Sequence, residues 1–490
     1  MQHLPDNPTS RWRRPNKAPP WIGIAPNAPY FTTDNGAAWT PIGQNDSISW
    51  LELQGLFRRR NLPQAEAYLD RLTASGVTVL RLMLECAQGR SRYIERPVGV
   101  FVPAMVRLWD DLFAMCERRG LRILLTPFDT FWTWLRWRHH PYSTNKGGHL
   151  ETPARMLLCK HTREAIKARL SFAVRRWGGS GTLFGWDLWN EIHPAQAEDS
   201  VDCWDAFIAD LSQHVRRLEM QLYGRTHLQT VSLFGPELDW RPHLAMKAPI
   251  FSHPDLDFAT IHIYMKGTID DPRNTVAPAV DMGRIVRRSL SDITDGRPFL
   301  DTEHGPIHSF KDRHITLPEP FDDENFRHMQ WAHFASGAAG GGMRWPNRHP
   351  HRLTDDMRRA QKNLSDFVGL IDWTCFRRVN LNEEVRVSVP RACVFGCGDG
   401  AQALVWLLRR DTLSKAGTLD RKASPIAPQV TVPGLAPGRY RITAWDTLKG
   451  TLGEPFAAEA TDRTGLTFQA PPFTADLAFA ITPSGSERES

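Results

Sequence analysis

The sequence predicts an α/β protein, a (β/α)8 TIM barrel followed by a C-terminal all-β sandwich. Three observations carry this. From about Trp39 to Val368, short apolar segments alternate with amphipathic helical stretches, the sequence form of a parallel sheet with crossover helices. Eight such segments fall within roughly 330 residues, the number and span at which tilted parallel strands close into a filled barrel. After about Arg377, helical periodicity gives way to short alternating strands and turn signals.

In chain order, residues 1–30 are polar and rich in proline and read as an extended arm. The barrel is expected over 31–377 and the sandwich over 378–490. Barrel strands are expected at Thr40–Gln44, Val77–Leu84, Leu121–Thr126, Leu183–Trp189, Thr230–Phe234, Phe258–Ile263, Pro298–Thr302 and Gly342–Trp345. Gly76 and Gly120 precede the second and third strands, where a helix C-terminal cap belongs. Met105, Leu108, Trp109, Leu112, Phe113 and Cys116 form one apolar helix face, and Ile166, Leu170, Ala173, Val174 and Trp177 another. Asp323–Ser336 and Met357–Val368 supply the last two helices, and the link between the fifth and sixth strands has no evident long helix. In the sandwich, strands are expected at Ala401–Leu408, Gln429–Val432, Arg439–Trp445 and Ala475–Ile481, with turns at Pro437-Gly438 and Lys449-Gly450. Trp406 and Trp445 make no planar row there, so a packed stabilising domain is favoured over a carbohydrate-binding module.

A net charge of +6 over 490 residues is a weak field, and the Arg58-Arg59-Arg60 cluster reads as a solvated surface, so no nucleic-acid partner is expected. Seven scattered cysteines, with Cys393 and Cys397 the close pair, form no zinc pattern and read as free thiols. With no apolar leader and no long apolar run, neither a signal peptide nor a membrane role is expected, and a cytoplasmic location follows as the expectation. The 18 tryptophans exceed what a core needs. Those in Phe131-Trp132-Thr133-Trp134 and Asp239-Trp240 sit among loop residues, where aromatic faces suit the apolar C–H face of a sugar ring.

Barrel sites lie at the C-terminal ends of the strands. The residues there are Arg81 and Glu85; Asp129, Phe131 and Trp132; Asn190 and Glu191; Glu237; His262 and Tyr264; Asp301, Glu303 and His304; and Trp345. No glycine loop that could cradle phosphate is among them. His304 with His308, and His349 with His351, have ligand-like spacing, but each pair spans a proline and reads as chance; no metal and no cofactor are expected. Glu191 and Glu303 stand out. The fourth and seventh strands face each other across a barrel mouth, and two carboxyl groups so placed can serve glycoside hydrolysis, one as acid, one as nucleophile.

The string Gly185-Trp186-Asp187-Leu188-Trp189-Asn190-Glu191 resembles the acid/base motif of glycoside hydrolase clan A, and Phe299-Leu300-Asp301-Thr302-Glu303-His304-Gly305 its nucleophile strand. Ile261-His262-Ile263-Tyr264 is similar to the clan's sixth-strand His-x-Tyr, Arg81 to its second-strand arginine, and Trp345 to its eighth-strand tryptophan. His140-Pro141-Tyr142 with Gly147-Gly148, and Arg176-Trp177-Gly178, resemble family 5. The resemblance spans about residues 40–370. It implies Glu191 as general acid/base and Glu303 as nucleophile. Asn190 would hold the sugar 2-hydroxyl, and Tyr264 would aim Glu303. Arg81 would lower the pKa of Glu303, His262 would bond near the acid/base, and Trp345 would floor the sugar. Asp129 stands where family 5 cellulases carry histidine, and Glu85 reads equally as a sugar ligand or an ion-pair partner. The expected activity is a retaining β-glycosidase on oligosaccharides, exo-acting on β-mannosides or related β-hexosides. Loops Gln88–Phe101 and Phe131–Leu150 would close one side of the pocket, with Trp132, Trp134 or His140 on its wall. An endo-acting mannanase- or cellulase-like enzyme and a silent carbohydrate-binding barrel are the alternatives.

Overall fold

The computed structural model describes residues 18–85, 93–265, 272–306, 316–346 and 351–485. The chain enters through strands β1 (Ile22–Ile24), β2 (Phe31–Thr33) and β3 (Ala38–Trp39), a three-stranded antiparallel sheet. The later part of the expected arm is therefore ordered β-structure. Buried Phe31 explains why: its ring meets Phe184 and Phe258 edge-on, at centroid distances of 5.1 and 5.6 Å. Phe184 lies at the start of the fourth barrel strand and Phe258 four residues before the sixth, so the small sheet packs on the bottom of the barrel.

The barrel strands are β4 (Gly43–Asp46), β5 (Val79–Met83), β6 (Arg122–Thr126), β7 (Leu183–Asp187), β8 (Leu228–Thr230), β9 (His262–Ile263), β10 (Glu303–His304) and β11 (Met343–Arg344). All pair in parallel, in the order β8-β7-β6-β5-β4-β11-β10-β9. Closure between the fifth and sixth strands comes at the Phe234–His262 bridge, where Gly235 N–H donates to His262 O at 2.9 Å and His262 N–H to Leu233 O at 2.8 Å. Along the chain come the helices α1 (Leu62–Ala74), α2 (Pro103–Arg119), α3 (Phe131–Leu135), α4 (Lys160–Trp177), α5 (Trp204–Tyr223), α6 (Glu237–Trp240), α7 (Lys247–Phe251), α8 (Ala277–Asp292), α9 (Glu319–Ala335) and α10 (Asp355–Val368). The fifth-to-sixth link holds only the short α6 and α7. No helix among the described residues is long and apolar enough to cross a membrane.

Local chemistry sets these boundaries. Asn61 accepts the N–H of Gln64 at the start of α1. Gly120, at φ 69, closes α2 on the carbonyl of Cys116 and turns the chain into β6. The glycine run before β11 has a spatial cause too: at Gly340, φ 110, an added Cβ would lie 2.2 Å from the carbonyl oxygen of Pro41.

The C-terminal strands are β12 (Val379–Asn380), β13 (Arg386–Val387), β14 (Ala392–Gly398), β15 (Ala403–Arg409), β16 (Gln429–Val432), β17 (Gly438–Asp446), β18 (Thr451–Leu452), β19 (Phe456–Thr461), β20 (Gly465–Gln469) and β21 (Asp476–Pro483). They form one antiparallel sheet, β12-β14-β15-β21-β17-β19-β20-β16-β13, with β18 on β17. It folds over on itself, so that Val385 packs against Gly396. Successive side chains of a strand point to opposite faces. On β15 and β21, Val405, Leu407, Phe479 and Ile481 fill the sheet's own core, whereas Leu404, Trp406, Leu408, Ala478 and Ala480 join the core of the barrel. Both faces are dry, which is why β15 reads as the unbroken apolar run Ala403–Leu408. Trp406 and Trp445 are buried here, against Trp331 and Phe367.

A buried ion pair pins the sheet to α9. Arg327 Nη1 lies 2.7 Å from Asp476 Oδ1, and the same carboxylate accepts from Thr447 and from Trp406 Nε1. Burial alone would raise Asp476; Arg327, His328 and Thr447 outweigh it and hold the carboxyl at about 2. A carboxyl lowered in the folded state stabilises above its unfolded value, and this contribution is lost as pH falls from about 4 towards that folded value. Arg327→Met strands Asp476 without its cation. The expected cost is about 3–5 kcal/mol at neutral pH, measured by urea denaturation.

Candidate active site

Glu191 and Glu303 meet at the C-terminal mouth of the barrel. One oxygen from each carboxylate and a ring nitrogen of His262 all lie within 4.8 Å of one another. Glu191 follows β7, held at φ 51, with its N–H donating to Ser232 Oγ at 3.1 Å. A non-glycine residue at positive φ persists only where its surroundings over-determine it. Its side chain is 17% exposed and accepts from His262 Nδ1 at 2.8 Å. Nε2 of His262 is buried without a hydrogen-bond partner, so the single proton of the neutral ring belongs on Nδ1. Burial pushes that imidazole down to about 4, which keeps it neutral.

Glu303, on β10, is 10% exposed at its side chain. Tyr264 O–H donates to Oε1 at 2.5 Å, and Arg81 Nη1 donates to Oε2 at 3.0 Å. Arg81, fully buried, also donates to Asp187 Oδ2 at 2.7 Å, to Asn45 Oδ1 at 2.8 Å, and to Asn190 Oδ1. The amide nitrogen of Asn190 donates to Asp129 Oδ1 at 2.5 Å, and Asp129 Oδ2 accepts from the N–H of Trp132 at 2.5 Å. Four strands are thereby tied through one guanidinium.

Burial dominates the acidities. It pushes Glu191 up to about 7 against the pull of Arg81 and His193, and Asp129 up to about 7 against the N–H of Trp132. Glu303 is raised as well, chiefly by burial; Arg81 and Tyr264 act downward. Arg81 thus acts in the expected direction, but desolvation outweighs it.

A cleft of about 490 Å³ opens above these groups, in the size range of small-molecule sites. Asp129, Trp132, Asn190, Glu191, Tyr264, Glu303 and Trp345 line it, with Phe131, Trp134, Leu135, Phe234 and Trp240 towards the rim. Arg81 and His262 lie beneath, fully buried. Trp345 is braced edge-on by Trp50 at 5.0 Å.

Other candidates fall elsewhere. Glu85 is an ion-pair partner: Arg169 Nη1 lies 2.6 Å from its Oε1. His140 is not on the cleft wall; it is buried in edge contact with Tyr93 and Tyr142. His304 is buried, with Nδ1 2.7 Å from Asp301 Oδ2. His351 stacks on Trp50, and His308, His349 and the 88–92 part of the second-strand loop lie outside the described residues. Among the described residues, Glu191, His262 and Glu303 are the group placed to offer three ligands to a metal ion. The guanidinium of Arg81 beside Glu303 already supplies a positive charge there and opposes a second. Asn45 and Ser232 were not singled out from the sequence; Asn45 lies one residue past the expected end of the first strand.

No protein-family model matches the chain, and no curated protein matches it in sequence. Solved glycoside hydrolases share its fold. One, described as a glycoside hydrolase, superposes with a TM-score of 0.64 at 14% identity, over 96% of this chain and 98% of that one. A family 5 glycoside hydrolase from Bacteroides vulgatus gives 0.61 at 13% identity, over 95% and 94%. A family 5 mannosidase from Rhizomucor miehei gives 0.51 at 15% identity, over 70% and 96%.

Proposed function

We propose that the chain is a retaining β-glycoside hydrolase with Glu191 as general acid/base and Glu303 as nucleophile. The observation that carries this is the approach of the two carboxylates to within 4.8 Å from facing strands. Retaining glycosidases hold theirs about 5 Å apart, and inverting ones leave room for a water. The environments divide the roles. Tyr264 and Arg81 aim Glu303 and favour its ionised form against burial, while burial favours the protonated form of Glu191.

In the first step Glu303 forms a bond to the anomeric carbon as the glycosidic C–O bond breaks. Glu191 passes its proton to the departing oxygen. In the second, Glu191 takes a proton from water, which displaces Glu303 from the sugar. His262 orients Glu191 through Nδ1. The remaining amide hydrogen of Asn190 faces the sugar 2-hydroxyl, and Trp345 floors the ring. The finer reading is exo action on a terminal β-mannoside or related β-hexoside of an oligosaccharide. It rests on the motif resemblance.

A screen of aryl β-glycosides and of manno-, gluco- and galacto-oligosaccharides tests this, with the anomer of the first product followed by NMR. A β-anomer released singly from chain ends is expected; an α-anomer, or no turnover of any glycoside, overturns it. The pH profile follows from the acidities. Catalysis needs Glu191 protonated, so kcat/KM should fall above about pH 7, and it should fall again on the acid side as Glu303 gains a proton. A rate still rising at pH 9 would contradict the assignment.

A further inference from the structure

We infer that the leaving-group side of the cleft, besides a sugar, takes an apolar group, an alkyl or ring-bearing alcohol, and favours it. This rests on the proposed function and concerns the leaving-group side of the same cleft. Twelve large apolar side chains are exposed among the described residues, and four of them line this one cleft: Phe131 at 38%, Trp134 at 41%, Leu135 at 60% and Trp240 at 54%. Scattered exposed apolar residues need no explanation, but convergence on one concavity marks a binding surface.

Their position identifies what they meet. Phe131, Trp134 and Leu135 form α3, after β6; Phe234 and Trp240 follow β8. β6 and β8 are the two neighbours of β7, which carries Glu191. The apolar wall therefore flanks the proton donor on both sides, across the mouth from Glu303 and Trp345. The oxygen that Glu191 protonates belongs to the leaving group, so the leaving group lies against this wall.

The wall suits an apolar group better than a sugar: its rings can stack on the C–H face of a sugar, but it offers few partners for hydroxyls. A hexose presents a rim of hydroxyls that need donors and acceptors when desolvated. The polar side chains here sit on the floor with the two glutamates, where the glycone lies. Near the rim, His193 lies 3.3 Å from Glu237, and Glu237 lies 3.0 Å from Arg241, so the charge of Glu237 is already paired. Leu135 and Phe131 offer apolar area and nothing that a hydroxyl can use.

The test is a series of alkyl β-glycosides, methyl to octyl, for mannose, glucose and galactose, assayed below the concentration at which they aggregate. Benzyl and naphthylmethyl glycosides form a second arm, since their alcohols leave about as readily as alkyl ones and so separate a ring from a chain. kcat/KM should rise roughly two- to fourfold per methylene until the chain outgrows the wall. It should exceed that for the matching disaccharide. Leu135→Ser and Trp240→Ser should flatten the slope. A steeper gain in the benzyl arm assigns a ring, and a steeper gain in the alkyl arm a chain. If the methyl glycoside is cleaved, the series is flat and disaccharides are preferred, the inference fails while the hydrolase stands. If no glycoside is cleaved, both fail.

Discussion

Glu303→Gln should abolish turnover, with kcat reduced by roughly 10⁴- to 10⁶-fold, the scale on which removing a member of a covalent catalytic unit acts. Gln keeps the shape: its carbonyl oxygen can accept from Arg81, which donates to Glu303 Oε2 at 3.0 Å, and its NH2 takes the place of Oε1, where the Tyr264 hydroxyl can turn to accept. Arg81 keeps Asp187 as a buried counter-charge at 2.7 Å. The variant should therefore fold, as circular dichroism can verify, and should still bind a glycoside. It cannot form the glycosyl-enzyme, because the amide is no nucleophile. Substantial residual turnover of a true substrate would move the search to Asp129 and Glu237, the other carboxyl groups lining the cleft.

The companion substitution, Glu191→Gln, should split substrates by leaving group. Alkyl glycosides and oligosaccharides, which need protonation, should lose roughly 10²- to 10⁴-fold. A dinitrophenyl glycoside needs none, so its first step should proceed and the intermediate should accumulate, giving a burst. Azide should then restore turnover with a β-glycosyl azide as product, since it needs no base to attack. The alkaline limb of the pH profile should vanish for that substrate. A uniform loss across all leaving groups, with no azide product, would show that Glu191 acts on structure rather than on the proton.

Much of this site was legible in the sequence because barrels convert chain order into geometry. Gly120 marks where α2 ends, the apolar run after it marks β6, and Asp129 follows at the mouth. Asn190-Glu191 and Glu303 could be found in the same way, by counting strands. What was not legible depends on contacts between residues remote in sequence. Asn45 lies on a short strand with little apolar signal, and its role is visible only once Arg81 and the carbonyls of Thr302 and Met343 surround it. Glu85 could not be assigned until α4 brought Arg169 to it. β9 and β10 each pair over two residues, so the longer apolar stretches around them overstate the strands. The sheet at Ile22–Trp39 was missed because its strands are two or three residues long, too short for a period to show. His140 was drawn to the cleft by its neighbours in a motif, and only tertiary packing places it in the core.

The two-faced C-terminal sheet has a consequence for how the molecule behaves as a whole. A tethered module can swing, be cut away, or be exchanged for another with little effect on its neighbour. This sheet cannot, because Trp406 and Leu408 on one face belong to the same dry interior as Trp331 and Phe367 of the barrel helices. Losing it would leave those rings in water. The two halves are therefore coupled as a unit of stability. Heating should melt them together, and the distance from any point on the sheet to the barrel mouth is a constant of the fold.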